Sequence, residues 1–350
     1  MSAGVCSAHR HPGTLHRSRG MTLIELLVAM AVGLLVVLAA VAALTVARRG
    51  FTTVDAASQL RDSSRFAADM IQRIGVQTGY QDVYFAATTR SSTAAAPTPN
   101  ITGFNNALLD AANPTTASTA RVSTVVGYGS DILVLRYQVA QAHTMTTDGT
   151  LKTVADQTMI DCAGNAPTTV LDIDNTAARD TRMTSIFHVA VNQGEPSLMC
   201  TYADPATGAW TTSPIIQGVE NFQVLFGADG VVANTALTAA EAATTPDVPQ
   251  IYLRADQMAV AGDAAATNAN WGRVRSIRVG MVLRSAPGSS QDFQTQSFYP
   301  LGSAKGTPTG GVGSAFASSN DPGTTFTPTP DGRLRQTVTF TIHLRNAQGL

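Results

Sequence analysis

From Met21 to Ala47 the chain carries one charged residue, Glu25, in a run otherwise built of apolar and small residues. About 20 such residues suffice to span a hydrocarbon core as a helix. A secretory h-region is shorter and ends at a small-residue cleavage site, so the run predicts a transmembrane helix. Ahead of it, residues 1–20 hold Arg10, Arg17 and Arg19 and no acid. That basic leader predicts a cytoplasmic N-terminus, although Arg48 and Arg49 on the far side argue mildly against it. A carboxylate at membrane depth costs a few kcal/mol, less near the interface, so Glu25 requires a role. In the first helical turn the macrodipole favours it. No Lys or Arg lies within the run. The available cation is an α-amino group, which a cut between Gly20 and Met21 would create on Met21. One subunit's Glu25 could then neutralise the Met21 amine of the next.

Past the membrane the helical pattern continues. In "RRGFTTVDAASQLRDSSRFAADMIQRIG", Phe51, Val54, Leu60, Ala67, Met70, Ile71 and Ile74 recur at helical spacing. No proline interrupts residues 21–75, and Gly75 and Gly79 are expected to end the helix. The segment 48–79 is thus an amphipathic stem that must pack on something.

The remainder, 80–350, changes to period two. "LRQTVTFTIHLRN" puts Leu334, Val338, Phe340, Ile342 and Leu344 on one face and Thr337, Thr339, Thr341 and His343 on the other, a half-buried antiparallel strand. "RVRSIRVGMVLRS" aligns Ile277, Val279, Met281 and Leu283, and "VENFQVLFG" aligns Phe222, Val224 and Phe226. "DILVLRYQV" is more uniformly apolar, as in a central strand; "SIFHVAV" and "SLMCTY" read as shorter ones. The expected architecture is α+β, a long N-terminal helix on an antiparallel sheet. Segments 86–120, 227–248, 259–270 and 303–332 are biased toward Ala, Thr, Pro, Asn and Gly and read as long loops.

Charged residues make up 13% of the chain, against about 25% in ordinary soluble domains, and the net charge is −1. Nothing in that balance points to nucleic acid. Of three cysteines, Cys6 would leave with the leader, and the remaining even pair, Cys162 and Cys200, fits a disulfide in an oxidising compartment. Closing that loop would contribute about 4 kcal/mol if unstrained.

Motifs of nucleophilic, phosphate-binding and zinc enzymes are absent. No cofactor or metal is expected, and the chain is not read as an enzyme. "LDIDNTAARD", with Asp172, Asp174, Asn175 and Asp180, begins like a calcium loop but lacks its Gly and terminal Glu. Arg273, Arg275 and Arg278 read as charges on a solvated strand face, and His343 as a surface residue.

"RGMTLIELLVAM" resembles the processing site of type IV prepilins: a basic leader, Gly20, an apolar residue, and Glu25 at fixed spacing before an apolar run. Met21 stands where these proteins usually have Phe. "IIQGVENFQVLFGADG", "WGRVRSIRVGMVLRS" and "DGRLRQTVTFTIHLRNAQ" are similar to the three C-terminal blocks of PilW-type minor pilins, and "DCAGN" and "SLMC" to their cysteine sites. The resemblance implies a pilin-like fold, cleavage and N-methylation at Met21 by a prepilin peptidase, and residence in the inner membrane with a periplasmic domain. It also implies incorporation among other minor pilins and the major pilin through the N-terminal helix. The J-type pseudopilin of type II secretion and a pilus-tip adhesin are the alternatives.

Overall fold

A computed structural model describes residues 20–81, 98–116, 118–168, 182–204, 207–302 and 321–346. The leader up to residue 19, the calcium-like stretch at 172–180, and parts of the 86–120 and 303–332 segments lie outside the described residues.

Helix α1 runs over Leu23–Gln77. The chain divides into two units, Met1–Thr52 and Thr53–Leu350. From Thr53 onward the helix belongs to the same unit as the sheets. The first unit contains the segment long and apolar enough to cross a membrane, and its described side chains are exposed.

In the second unit the buried stripe of α1 comprises Ala56, Leu60, Ser64, Ala67, Ile71 and Ile74. Val54, expected on that stripe, is 70% exposed, and Phe51 in the first unit is 77% exposed. Helical spacing alone could not separate them from the covered positions. Gly75 lets α1 approach closely, since a Cβ there would sit 2.9 Å from Ile342 Cγ2. The helix ends beyond Gln77, with Gly79 in the left-handed region at φ 76°. Asn346 Nδ2 donates to the carbonyls of Val76 and Thr78, so the closing "LRN" block caps the orphan carbonyls of α1.

Thirteen strands follow among the described residues, the long ones in two antiparallel sheets. The first sheet orders β1 (Ile101–Phe104), β4 (Ile132–Tyr137), β7 (Met183–Asn192), β8 (Glu195–Ala203) and β9 (Trp210–Gln217). The second orders β11 (Ile251–Leu253), β10 (Val219–Ala228), β12 (Val274–Arg284) and β13 (Arg335–His343). Two short pairs complete the set: β2 (Ala107–Leu109) with β3 (Ser118–Ala120), and β5 (Gln141–Met145) with β6 (Leu151–Ala155).

The uniform apolarity of β4 has a simple cause. Leu133 and Leu135 enter the main core with α1 and the second sheet, while Ile132 and Val134 enter a smaller core with Ala107 and Ile186 on the opposite face. β7 and β8 meet at Gln193–Gly194, where φ is 51° and 81°, the mirror-image turn that suits a tight hairpin. Between β9 and β10 the chain changes sheets through Gly218 alone. Its φ is 89°, and a Cβ would stand 2.4 Å from the Arg284 carbonyl, so only glycine serves there.

Two of the segments read as loops are partly built. Residues 227–248 contain the end of β10 and the short helix α2 (Ala239–Ala242), capped by Thr238. Residues 259–270 contain most of α3 (Ala264–Gly272), capped by Asp263. The reason is long-range. Arg273 is buried and donates to the carbonyls of Asp229, Glu241 and Thr244, fixing a segment whose own composition gives it no core. Asn270 donates to the carbonyls of Thr235 and Met258, and Trp271 meets Phe226 edge to face at 4.7 Å. Arg273 is thus no solvated surface charge. His343 is exposed, and the apolar residues assigned to β13 do pack on the core. β10, on which Phe222, Val224 and Phe226 share a face, is covered on both faces.

Candidate functional site

The α1 N-terminus is organised by two side chains. Thr22 precedes the first helical residue. The backbone N–H of Thr22 donates to Glu25 Oε2 at 2.9 Å, and Thr22 Oγ1 donates to the same oxygen at 3.0 Å. In return the Glu25 N–H lies 3.3 Å from Thr22 Oγ1. This is a reciprocal capping box, which satisfies two of the helix's orphan donors. The lone carboxylate therefore has neutral hydrogen-bond partners within its own chain, beside the Met21 amine expected as its cation. The Thr-x-x-Glu spacing in "TLIE" carried that signal. Gly20 and Met21 lie just outside the helix and are exposed, with open space around Gly20.

The second constellation joins three acids and three arginines from four distant parts of the chain. Glu195, opening β8, accepts from Arg284 Nη2 at 2.7 Å and Arg333 Nη2 at 2.9 Å. Glu220, early in β10, accepts from Arg284 Nη1 at 3.0 Å and Arg335 Nε at 2.6 Å. Asp331 pairs with Arg335 at 2.8 Å. The formal charges cancel. Hydrogen bonding from Arg333 holds the Glu195 carboxyl below the usual range. The Glu220 and Arg335 side chains are only 9% and 7% exposed, so this pair is removed from water. Beside the cluster lies a cleft of about 310 Å³ lined by Ala56, Leu60 and Ser63 of α1 together with Glu195, Arg284 and Arg333. The blocks "GVENF", "VLRS" and "GRLR" supply Glu220, Arg284, Arg333 and Arg335; no local pattern in the sequence pairs them.

Cys162 and Cys200 are joined by a disulfide between buried positions, tying the segment after β6 to β8. Next to Cys200, Thr201 Oγ1 lies 2.9 Å from Nε2 of the buried His188. Burial first, and then the nearby Arg121 charge, lowers the His188 pKa to about 4. Because the folded value lies below the unfolded one, this histidine adds no pH dependence above about pH 6.5; stability falls as pH drops from there toward 4. Replacing His188 by Gln should flatten that acid limb of the melting temperature measured between pH 7 and 4. An unchanged limb would show that other groups set it.

Among the described residues no group of three or more His, Cys, Asp and Glu side chains stands close enough to hold a metal ion. At the junction of the sheets, burial raises the Asp131 carboxyl well above its ordinary range, with the charge of Asp321 the next cause.

Comparison with known proteins places these features. Residues 186–346 match the family of Type IV Pilus-assembly protein W, and residues 15–41 match the prokaryotic N-terminal methylation motif. Among solved structures, a type IV-like pilin from Thermus thermophilus aligns over 82% of this chain and 98% of its own, at 12% identity and a TM-score of 0.36. No curated protein matches the sequence. The first match spans β8 through β13, the region that contains every member of the charge cluster, and the second spans Gly20, Met21 and Glu25. With a methylation motif at the head of its apolar helix and a pilus-assembly W region over its sheets, the chain is similar in both parts to the PilW-type pilins of the type IV pilus system.

Proposed function

We propose that this chain is a minor pilin, a structural and priming subunit of pilus assembly that waits in the inner membrane. Its N-terminus is cytoplasmic and the unit beginning at Thr53 is periplasmic. A prepilin peptidase cleaves between Gly20 and Met21 and methylates the new Met21 amine. The mature helix then packs against other minor pilins and the major pilin, and the chain passes into the pilus at the cell surface. The observation that carries this reading is the methylation motif placed on Gly20, Met21 and Glu25, directly before a helix apolar enough for a membrane. In the assembled state Glu25 exchanges its own Thr22 for the Met21 amine of the neighbouring subunit.

Processing supplies the test. Only a residue without a side chain lets a peptidase approach the backbone closely from every side. Gly20→Val should leave a full-length precursor by mass spectrometry, whereas the wild-type chain should begin at methylated Met21. Thiol labelling of the denatured, non-reduced protein gives an independent readout. The uncleaved variant should show one free thiol, Cys6, and the processed chain none, because Cys162 and Cys200 are bonded. A Gly20→Val chain that still starts at Met21 would refute the processing site. Two labelled thiols in the processed chain would refute the disulfide.

A further inference from the structure

Where the turn Asp321–Thr324 meets β10 and the β1–β2 turn, the interior holds polar groups that no described residue satisfies. Asn221 of β10 is fully buried, and neither of its amide atoms has a hydrogen-bond partner among the described residues. Asn105 Oδ1 is likewise buried and unpartnered. Native interiors satisfy such atoms with something, and an orphaned amide beside carboxylates narrows what that is.

The surroundings are all oxygen chemistry. Asp321 is buried and accepts from Asn105 Nδ2 at 3.1 Å. Asp131 is buried and accepts one backbone N–H on each oxygen, from Asn106 at 2.9 Å and Val224 at 2.7 Å, so each oxygen keeps a lone pair. Gly323, at φ 92°, packs so closely that a Cβ would stand 2.8 Å from Asn221 Nδ2 and 2.7 Å from the Gly129 carbonyl. That places the Asn221 amide against the turn that carries Asp321. Amide oxygen and nitrogen exchange places by a simple flip, so Asn105 and Asn221 can each turn an oxygen toward the 321–324 turn that both lie against. Arg254 is committed to Asp256 through two bonds of 2.9 and 2.8 Å and stands 4.0 Å from Asp321, while Arg121, whose charge reaches Asp131, donates to the carbonyls of Ala107, Val126 and Val189.

We propose that Asp131, Asp321, Asn105 and Asn221 form a calcium site that clips the 321–324 turn to β10 and to the β1–β2 turn. Two carboxylates balance a divalent charge, and amide and carbonyl oxygens fill the larger and looser shell that calcium accepts. Magnesium demands a tighter octahedron and keeps its water, and zinc favours nitrogen and sulfur ligands that are absent from this cluster. The site adds a polar tie between the two sheets beside the apolar core that they share. It is independent of how the N-terminus is processed.

The experiment uses the full-length chain in detergent with its disulfide intact, stripped with EGTA and titrated with calcium chloride. The melting temperature should rise saturably by several degrees, with half-saturation on the order of 10⁻⁴–10⁻³ M as in extracellular calcium modules. Magnesium chloride at the same ionic strength should produce no comparable rise. Asp321→Asn should weaken the response at least about tenfold, as loss of a charged ligand does. If that variant does not fold, Asn221→Ala, which removes only an unsatisfied amide, should show the same loss. A wild-type melting temperature unmoved by calcium would leave only buried water at Asn221 and overturn the proposal. An equal response to magnesium, or full responses in the folded variants, would overturn it too.

Discussion

Glu220→Ala should lower the unfolding free energy by about 3–5 kcal/mol, measured by urea or thermal unfolding of the oxidised chain in detergent. The size follows from what is left behind rather than from what is removed. Glu220 accepts from Arg284 and from Arg335 by two nitrogens, and both Glu220 and Arg335 are nearly sealed from water. Truncating the acid leaves Arg284 with Glu195 and Arg335 with the more exposed Asp331 in a partly dry site, where the desolvation of two guanidinium groups is no longer fully offset. The effect should be specific to burial. Asp256 also pairs with an arginine, Arg254, but its side chain is 49% exposed. Asp256→Ala should therefore change stability by less than about 1 kcal/mol. Glu220→Ala and Arg335→Ala combined should cost clearly less than the sum of the two single changes, since both remove the same buried pair. If Glu220→Ala costs no more than Asp256→Ala, the cluster is a surface ornament and the burial argument fails.

How much of this could be read beforehand depended on range. The apolar run, the helix from residue 23 and the faces of β12 and β13 were legible because each is a local period. Leu334, Val338 and Ile342 pack as an alternating strand should. The α+β class followed from those periods. The limits of the buried stripe on α1 were not legible, because Val54 and Leu60 share a helical pattern but differ in what lies opposite them. The strand β9, rich in Thr and Ser and holding Pro214, lacks an apolar face and is exposed along much of its length at a sheet edge. The segments 227–248 and 259–270 read as loops because their order comes from Arg273, Asn270 and Trp271, which pattern alone assigns to surface or strand. The charge cluster was invisible for the same reason: Glu195 and Arg333 are 138 residues apart and meet only once both sheets have formed. The Thr22–Glu25 box is the exception. Its spacing is local and legible in the sequence, because a carboxylate at this depth can take a hydroxyl as well as a cation.

That box changes what a Glu25 variant can show. Glu25→Ala should still yield Met21 as the new N-terminus but should fail to enter pili. It removes two things at once, however: the cap on the helix and the negative charge. A cap is typically worth about 1 kcal/mol. An ammonium group left unpaired at membrane depth costs about 2.5–3.5 kcal/mol on insertion scales, so losing the charge should lower incorporation on the order of 100-fold. Two further variants separate the terms. Thr22→Val removes the hydroxyl bond to Oε2 and the acceptor for the Glu25 N–H while keeping the backbone bond and the carboxylate, and should incorporate at close to the wild-type level. Glu25→Gln keeps an amide oxygen that can accept from Thr22, as glutamine does in capping boxes, but carries no charge. If Glu25 neutralises a neighbour's Met21 amine, Glu25→Gln should fail nearly as badly as Glu25→Ala, and Glu25→Asp should fall between wild type and Ala. The readout is the amount of processed chain in sheared pili relative to that in the membrane fraction. Wild-type incorporation of Glu25→Gln together with loss in Thr22→Val would assign the residue to capping its own helix, and the intersubunit role would be wrong.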